Sequence, residues 1–117
     1  MADDEMIIFT KSYDYGLWLF KHTQKFPKSS RFSVSVRLEL LVTEILEKII
    51  LANRAKNKMP LLMELDVLLK RLRLLVRFSK DLGYLPLNSY EYSARQTDEL
   101  GRLLGGWVKQ QKTNQAM

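Results

Sequence analysis

The sequence predicts an all-α protein, an up-down-up-down antiparallel four-helix bundle. Its three prolines, Pro27, Pro60 and Pro86, divide the 117 residues into four segments rich in Leu, Ile, Lys, Glu and Arg. Apolar residues within the segments recur at steps of three and four, which is typical of amphipathic helices. There is no apolar–polar alternation and no Asn-Gly or Asp-Gly hairpin turn to indicate a sheet. Short connections favour antiparallel neighbours.

We expect one domain over residues 1–117, with helices at about 7–25, 30–56, 60–82 and 87–111 and a flexible polar tail at 112–117. The first helix has an apolar face of Phe9, Tyr13, Leu17 and Phe20. The apolar arc of the second consists of Val34, Leu38, Leu41, Ile45, Ile49 and Ala52. A polar connector, residues 53–58, follows it.

The third and fourth helices are bounded by residues that suit helix ends. Pro60 and Pro86 stand where a helix begins, because proline lacks an N–H that would be unpaired there. Gly83 is expected to end the third helix in a left-handed conformation. The core arc of this helix is predicted to be Leu61, Leu65, Leu68, Leu69, Leu72, Leu75 and Val76.

The fourth helix contains two glycines one turn apart, Gly101 and Gly105, and then Trp107. Glycine within a helix costs roughly 1 kcal/mol relative to alanine. We expect the two glycines to allow close approach of a neighbouring backbone, with Trp107 as a large packing anchor.

Two helices have more apolar residues than one core face needs. On the third helix these are Met63, Val67, Leu74 and Phe78, and on the second they are Val36, Leu40, Ile50 and Leu51. Contiguous exposed apolar side chains are costly in water. They therefore predict a homo-oligomer interface, formed by Met63, Val67, Leu74, Phe78, Val36 and Leu40. The alternative is that some of them belong to the bundle core.

The chain is basic, with a formal net charge of +6 and an isoelectric point near 9.7. A positive surplus favours polyanion partners, although it also serves solubility. The third helix has five cations and no anion between residues 70 and 80, namely Lys70, Arg71, Arg73, Arg77 and Lys80. Most of them share one face, which predicts a site for nucleic acid or for an acidic partner.

A second basic cluster spans the first helix and the following loop: Lys11, Lys21, Lys25, Lys28 and Arg31. The only acidic residue among them is Asp14. Aromatic residues are interleaved with these cations, namely Tyr13, Tyr15, Trp18 and Phe26. Aromatics can stack on bases, but at helical spacing they more often belong to a core.

Catalysis is not expected. The chain has no cysteine and one histidine, His22, so neither a thiolate site nor a paired-histidine metal site can be assembled. We expect no cofactor, no metal and no small-molecule substrate. The acidic start is unlike a targeting segment, and the apolar runs are too short for a membrane span. A cytoplasmic location without membrane contact is therefore expected.

Several stretches together resemble the accessory variability determinant (Avd) family of diversity-generating retroelements. They are residues 98–109 (DELGRLLGGWVK), Phe26-Pro27-Lys28, Arg31-Phe32 with Arg37-Leu38-Glu39, and residues 72–82. The resemblance extends from about Tyr13 to Lys109. The related bundle proteins encoded in ribosomal RNA intervening sequences differ, because their second helix ends in a small-residue stretch where this chain has residues 44–50 (EILEKII).

The resemblance implies a four-helix bundle assembled into a homopentameric, positively charged barrel. It implies a non-catalytic accessory protein that binds a reverse transcriptase and its template RNA and supports mutagenic, adenine-targeted cDNA synthesis. DNA and an RNA/DNA hybrid are further candidate ligands. Arg73 and Arg77 match the basic positions of the family's third helix. The alternative is a protein-only scaffold or adaptor oligomer, related to the intervening-sequence proteins.

Overall fold

The all-α prediction is confirmed. In the computed structural model, which describes residues 3–116, there are four α-helices and no strands. The helices are α1 (Asp3–Thr23), α2 (Val36–Arg54), α3 (Met59–Asp81) and α4 (Leu87–Ala116). Helix α2 packs against α1 and α3, while α4 packs against α3 and α1. The result is an elongated helical bundle with extents of 51 × 24 × 19 Å.

The core is built almost entirely from aliphatic side chains on one face of each helix. Leu38 and Ile49 of α2 and Leu62 and Leu72 of α3 are completely buried. Leu62 was not in the predicted arc of α3, whereas Leu61, which was, is only partly buried at its edge. Burial of this kind contributes about 25 cal/mol per Å² of apolar surface, and with no cysteine in the chain it is the main source of stability.

The apolar face predicted for α1 is not its most buried face, although Phe9 and Phe20 of that face pack against the core. The buried face consists of Ile8, Ser12, Tyr15, Leu19 and Thr23, while Tyr13 and Leu17 are about half exposed. Polar residues enter this face because most of them have partners. The Tyr15 and Ser93 hydroxyls lie 2.7 Å apart, and Thr23 Oγ1 donates to Glu39 at 2.6 Å.

The predicted helix over residues 30–56 does not begin as an α-helix. A 3₁₀ turn (Lys28–Ser30) leads into a π-helical turn (Arg31–Ser35), and α2 starts only at Val36. Ser30 Oγ donates to the carbonyl of Pro27 at 2.7 Å and also lies 2.9 Å from Ser35 Oγ. Serine hydroxyls that bond locally in this way compete with regular helical bonding.

The remaining helix ends follow recognisable capping rules. Lys58, which follows α2, caps the C-terminal end of that helix. Its Nζ donates to the carbonyls of Ala52, Asn53 and Ala55 at 3.0, 2.7 and 2.9 Å. The predicted left-handed stop after α3 is confirmed, with φ of 82° at Gly83. The fourth helix is longer than predicted, because α4 continues past Gln111 to Ala116. Met117 lies outside the described residues.

Burial gives Tyr15 an unusual titration. Desolvation is the main reason that its pKa is raised to about 12, and the hydrogen bond with Ser93 opposes the shift. An unfolded tyrosine titrates near pH 10. The folded protein therefore binds this proton more tightly than the unfolded chain does. The resulting contribution to the free energy of unfolding is fully present below about pH 10 and is lost as the pH rises to about 12.

We expect Tyr15→Phe to remove this alkaline loss. The wild type should lose up to about 2–3 kcal/mol more free energy of unfolding between pH 10 and 12 than the variant does. Urea denaturation at a series of pH values measures the difference. Parallel losses in the two proteins would contradict a buried phenol that resists ionisation.

Candidate nucleic-acid interface

The predicted cations of α3 lie along one flank of the helix, beside α4. Lys70, Arg73 and Arg77 are exposed, and Lys80 is half-buried. The Lys80 ammonium lies 4.7 Å from the ring centroid of Tyr90 in α4. These four residues are called the α3 basic stripe below.

Acidic groups neutralise much of this stripe. Lys70 pairs with Asp66 at 2.8 Å, Arg73 with Asp98 of α4, and Lys80 with Asp81 at 3.1 Å. The sequence interval 70–80 contains no anion, but these carboxylates come from just outside it and from another helix. Exposed pairs of this type contribute only about 0–1 kcal/mol. The cations can therefore exchange a carboxylate for another anion at small cost.

Arg77 is the member of the α3 basic stripe without an ion pair to any side chain that the structure describes. Arg71 is also unpaired there, but it does not belong to the stripe. It lies across the outward apolar residues, in a groove shared with α2. Arg71 therefore faces away from the other four cations, because adjacent residues of a helix do not share a face, and its part in binding stays a prediction.

The second basic cluster is less neutralised. From Tyr15 to Leu38 the chain has no acidic residue and five cations, which are Lys21, Lys25, Lys28, Arg31 and Arg37. Four of them surround the connection between α1 and α2 and are called the junction cations: Lys21, Lys25, Lys28 and Arg31. All four are exposed. None pairs with a carboxylate among the side chains of the described residues.

The interleaved aromatics are mostly core. Tyr15 and Phe26 are buried, and Trp18 is partly buried between Tyr15, His22 and Tyr92, with ring centroids 5.6, 4.0 and 5.0 Å away. Two aromatic side chains of this region face solvent: Tyr13 is about half exposed, and Phe32 is exposed at 89%. Phe32 was not among the aromatic residues considered for base stacking from the sequence; it stood only in the Arg31-Phe32 stretch that resembles the family.

The predicted interface residues point outward. Met63, Val67, Leu74, Phe78 and Leu40 are all exposed, and Leu74 is the most exposed of them at 66%. Val36 is half-buried. Met63 and Val67 line a groove of about 400 Å³ between α2 and α3, together with Glu44, Lys48, Glu64, Leu68 and Arg71. The Lys48–Glu64 ion pair, at 3.0 Å, spans this α2–α3 groove.

A second apolar surface lies on the other side of α2. An α1–α2 groove of about 200 Å³ is lined by Tyr13, Gly16, Leu17, Phe20, Val42, Thr43 and Leu46. Three of these, Tyr13, Leu17 and Phe20, belong to the apolar face that the sequence predicted for the first helix. Helix α2 therefore has an apolar groove on each side, and the two grooves differ in their residues.

Among the side chains described, no three His, Asp or Glu residues lie close enough together to hold a metal ion. None of the helices within residues 3–116 combines the length and apolar character required to cross a membrane.

Comparison with known families identifies the chain. The model of the bAvd-like family matches residues 6–111, which is nearly the whole sequence and includes all four helices. The chain belongs to the bAvd-like family. It is an Avd-type accessory protein, from a family of proteins that are not catalysts. No curated protein matches it.

The glycines of this bAvd-like protein are not used as predicted within the chain. A Cβ on Gly101 would meet only Leu69, at an ordinary 3.8 Å, and one on Gly105 or Gly106 would meet nothing within 4 Å. The close approach is instead at Gly16, where a Cβ would lie 3.4 Å from Val42. Trp107 is buried.

We therefore expect Gly106→Ala to stabilise the protein. The new methyl group has free space, and alanine favours a helix over glycine by about 1 kcal/mol. Gly16→Ala is the matched control and should gain less, because its methyl group would lie against Val42, at 3.4 Å, with no free space around it. Thermal or urea unfolding measures both variants. A loss of stability in Gly106→Ala would contradict the open surface at this position.

Proposed function

We propose that this protein is the accessory subunit of a diversity-generating retroelement, and that it binds template RNA and cDNA and the reverse transcriptase through its basic surfaces. The observation that supports the proposal is a set of exposed cations, Arg77 and the junction cations, that have no carboxylate partner among the described side chains, on a protein of formal charge +6. Membership of the bAvd-like family supports the retroelement role.

Electrostatic neutralisation of phosphates is the proposed mechanism. Each phosphate contact releases condensed counterions, so affinity falls steeply as salt concentration rises. Contacts to phosphate carry no sequence information. The protein would therefore hold the template close to the polymerase without selecting a sequence itself.

The decisive experiment is a fluorescence-anisotropy titration of the protein with labelled RNA and DNA at several salt concentrations. Binding that weakens steeply with salt supports the proposal. Absence of binding at low salt, together with salt-resistant capture of the reverse transcriptase without RNA, would favour the protein-only adaptor instead.

Arg73→Ala combined with Arg77→Ala tests the α3 basic stripe. We expect RNA affinity to fall by about tenfold and the slope of log affinity against log salt to become shallower by about 1–2, because up to two phosphate contacts are lost. Lys109→Ala with Lys112→Ala removes the same charge from exposed positions of α4 and is the matched control. Equal affinity in the Arg variant and the wild type would refute the stripe.

We also infer an up-down-up-down bundle that assembles into a closed ring of identical subunits, with five copies as the family resemblance implies. Contacts between successive helices support this helix order. The two grooves flanking α2 support the ring, because they differ. Two different apolar patches on one subunit favour head-to-tail contacts, and head-to-tail contacts form a ring when the rotation from one subunit to the next closes.

Val67→Asp should break this assembly. Burying an unpaired carboxylate at an apolar contact is strongly unfavourable, so sedimentation should detect monomers at concentrations where the wild type is an oligomer. Helical circular dichroism should be retained, since Val67 is 54% exposed in the single chain. Thr113→Asp adds the same charge at an exposed site of α4 as the control. An unchanged oligomer in Val67→Asp would exclude the α2–α3 groove as an interface.

A further inference from the structure

Phe32 is the most exposed large apolar residue among the side chains described, at 89%. An aromatic ring in open water is unfavourable compared with a buried one. The three other phenylalanines of α1 and the connection behind it differ in this respect, because Phe9 and Phe20 pack against the core and Phe26 is buried within it. The exposure of Phe32 therefore needs an explanation outside the bundle core.

The segment that presents Phe32 is firmly held. It belongs to the π-helical turn Arg31–Ser35, and such turns are frequent at functional sites. Ser30 and Ser35, on either side of Phe32, are both buried and bonded to each other. Because the Ser30 hydroxyl donates to Pro27, it is Ser35 that donates to Ser30. The two bonded serine side chains are buried, while the phenyl ring between them in the sequence is in solvent.

The surroundings of Phe32 are basic. Lys28 and Arg31, which are close to Phe32 in the sequence, line a cleft of about 260 Å³ with polar groups of Gln24 and Ser35, and Phe32 itself lies outside this lining. The one carboxylate in the cleft, Glu39, accepts the hydrogen bond from Thr23 at 2.6 Å. Lys28 and Arg31 make no ion pair with any described side chain, so their charge is available to an anion.

We propose that Phe32 is a stacking platform for a base of single-stranded nucleic acid, with Lys28 and Arg31 binding the adjacent phosphates. The proposal rests on the nucleic-acid binding proposed above and assigns it a second site with a different chemistry. Base–aromatic stacking needs an unpaired base whose face is free, and it adds affinity without regard to sequence. Unlike the phosphate contacts of the α3 basic stripe, the stacking contact of Phe32 does not depend on salt concentration.

The test compares two labelled probes, a short oligoadenylate RNA and an abasic oligonucleotide with the same number of phosphates. We expect the wild type to bind the oligoadenylate about tenfold more tightly than the abasic probe, which is within the range measured for one stacked base. Phe32→Leu keeps an apolar side chain without an aromatic face and should abolish this ratio. Phe32→Tyr keeps the aromatic face and should preserve it. The salt dependence should be the same in all three proteins.

An unchanged ratio in Phe32→Leu, with salt-dependent binding intact, would overturn the stacking site and leave the proposed function standing. Equal weakening of the binding of both probes in Phe32→Leu would also overturn the stacking site. A changed oligomeric state of Phe32→Leu in sedimentation would do the same, as would wild-type binding of a duplex as tight as its binding of the oligoadenylate. Failure of the wild type to bind either probe at low salt would refute nucleic-acid binding as a whole.

A second measurement is independent of affinity. A Phe32→Trp variant should show fluorescence quenching on adding the oligoadenylate and none on adding the abasic probe. The wild type supplies the background from Trp18 and Trp107. Quenching by both probes, or by neither under conditions of saturated binding, would contradict a base stacked at this position.

Discussion

Burial of aliphatic side chains between four helices is the interaction on which the rest of this structure depends. Leu38, Ile49, Leu62 and Leu72 have no exposed surface, and no disulfide is available to supplement them. A core of this size covers one face of each helix. Helices α2 and α3 have apolar residues on a second face, and the bundle cannot bury them. The two grooves beside α2 are thus a direct consequence of how small the core is.

The same geometry separates the cations into two different surfaces. Those of the α3 basic stripe lie beside α4, within reach of carboxylates such as Asp98, and most of them are paired. The junction cations project from a connection where the chain has no acidic residue between Tyr15 and Leu38. A phosphate must displace a carboxylate at the first surface, at small cost. At the second surface, no ion pair among the described side chains would have to be broken.

The parts of the fold that depend on residues close together in the sequence could be predicted from it. Proline at helix starts and Gly83 at a helix end act locally, and the aliphatic periodicity of α2 and α3 is strong. The buried face of α1 could not be predicted, because Tyr15 is stabilised by Ser93, a residue 78 positions away. Pairing of Arg73 with Asp98 was hidden for the same reason. The outward position of Phe32 depends on a π turn that periodicity does not reveal.

The apolar grooves and the basic surfaces support one functional interpretation when they are considered together. A ring formed through the grooves would repeat both basic surfaces once per subunit, around one assembly. A nucleic acid that binds one copy then meets the next at a high effective concentration, so weak single contacts combine into strong binding. Each subunit needs only a few unpaired cations, which agrees with the modest surplus of +6 on a chain of this length. Because the α3 basic stripe is partly neutralised, each of its contacts with the strand would be weak, and the bound strand would stay mobile on the assembly.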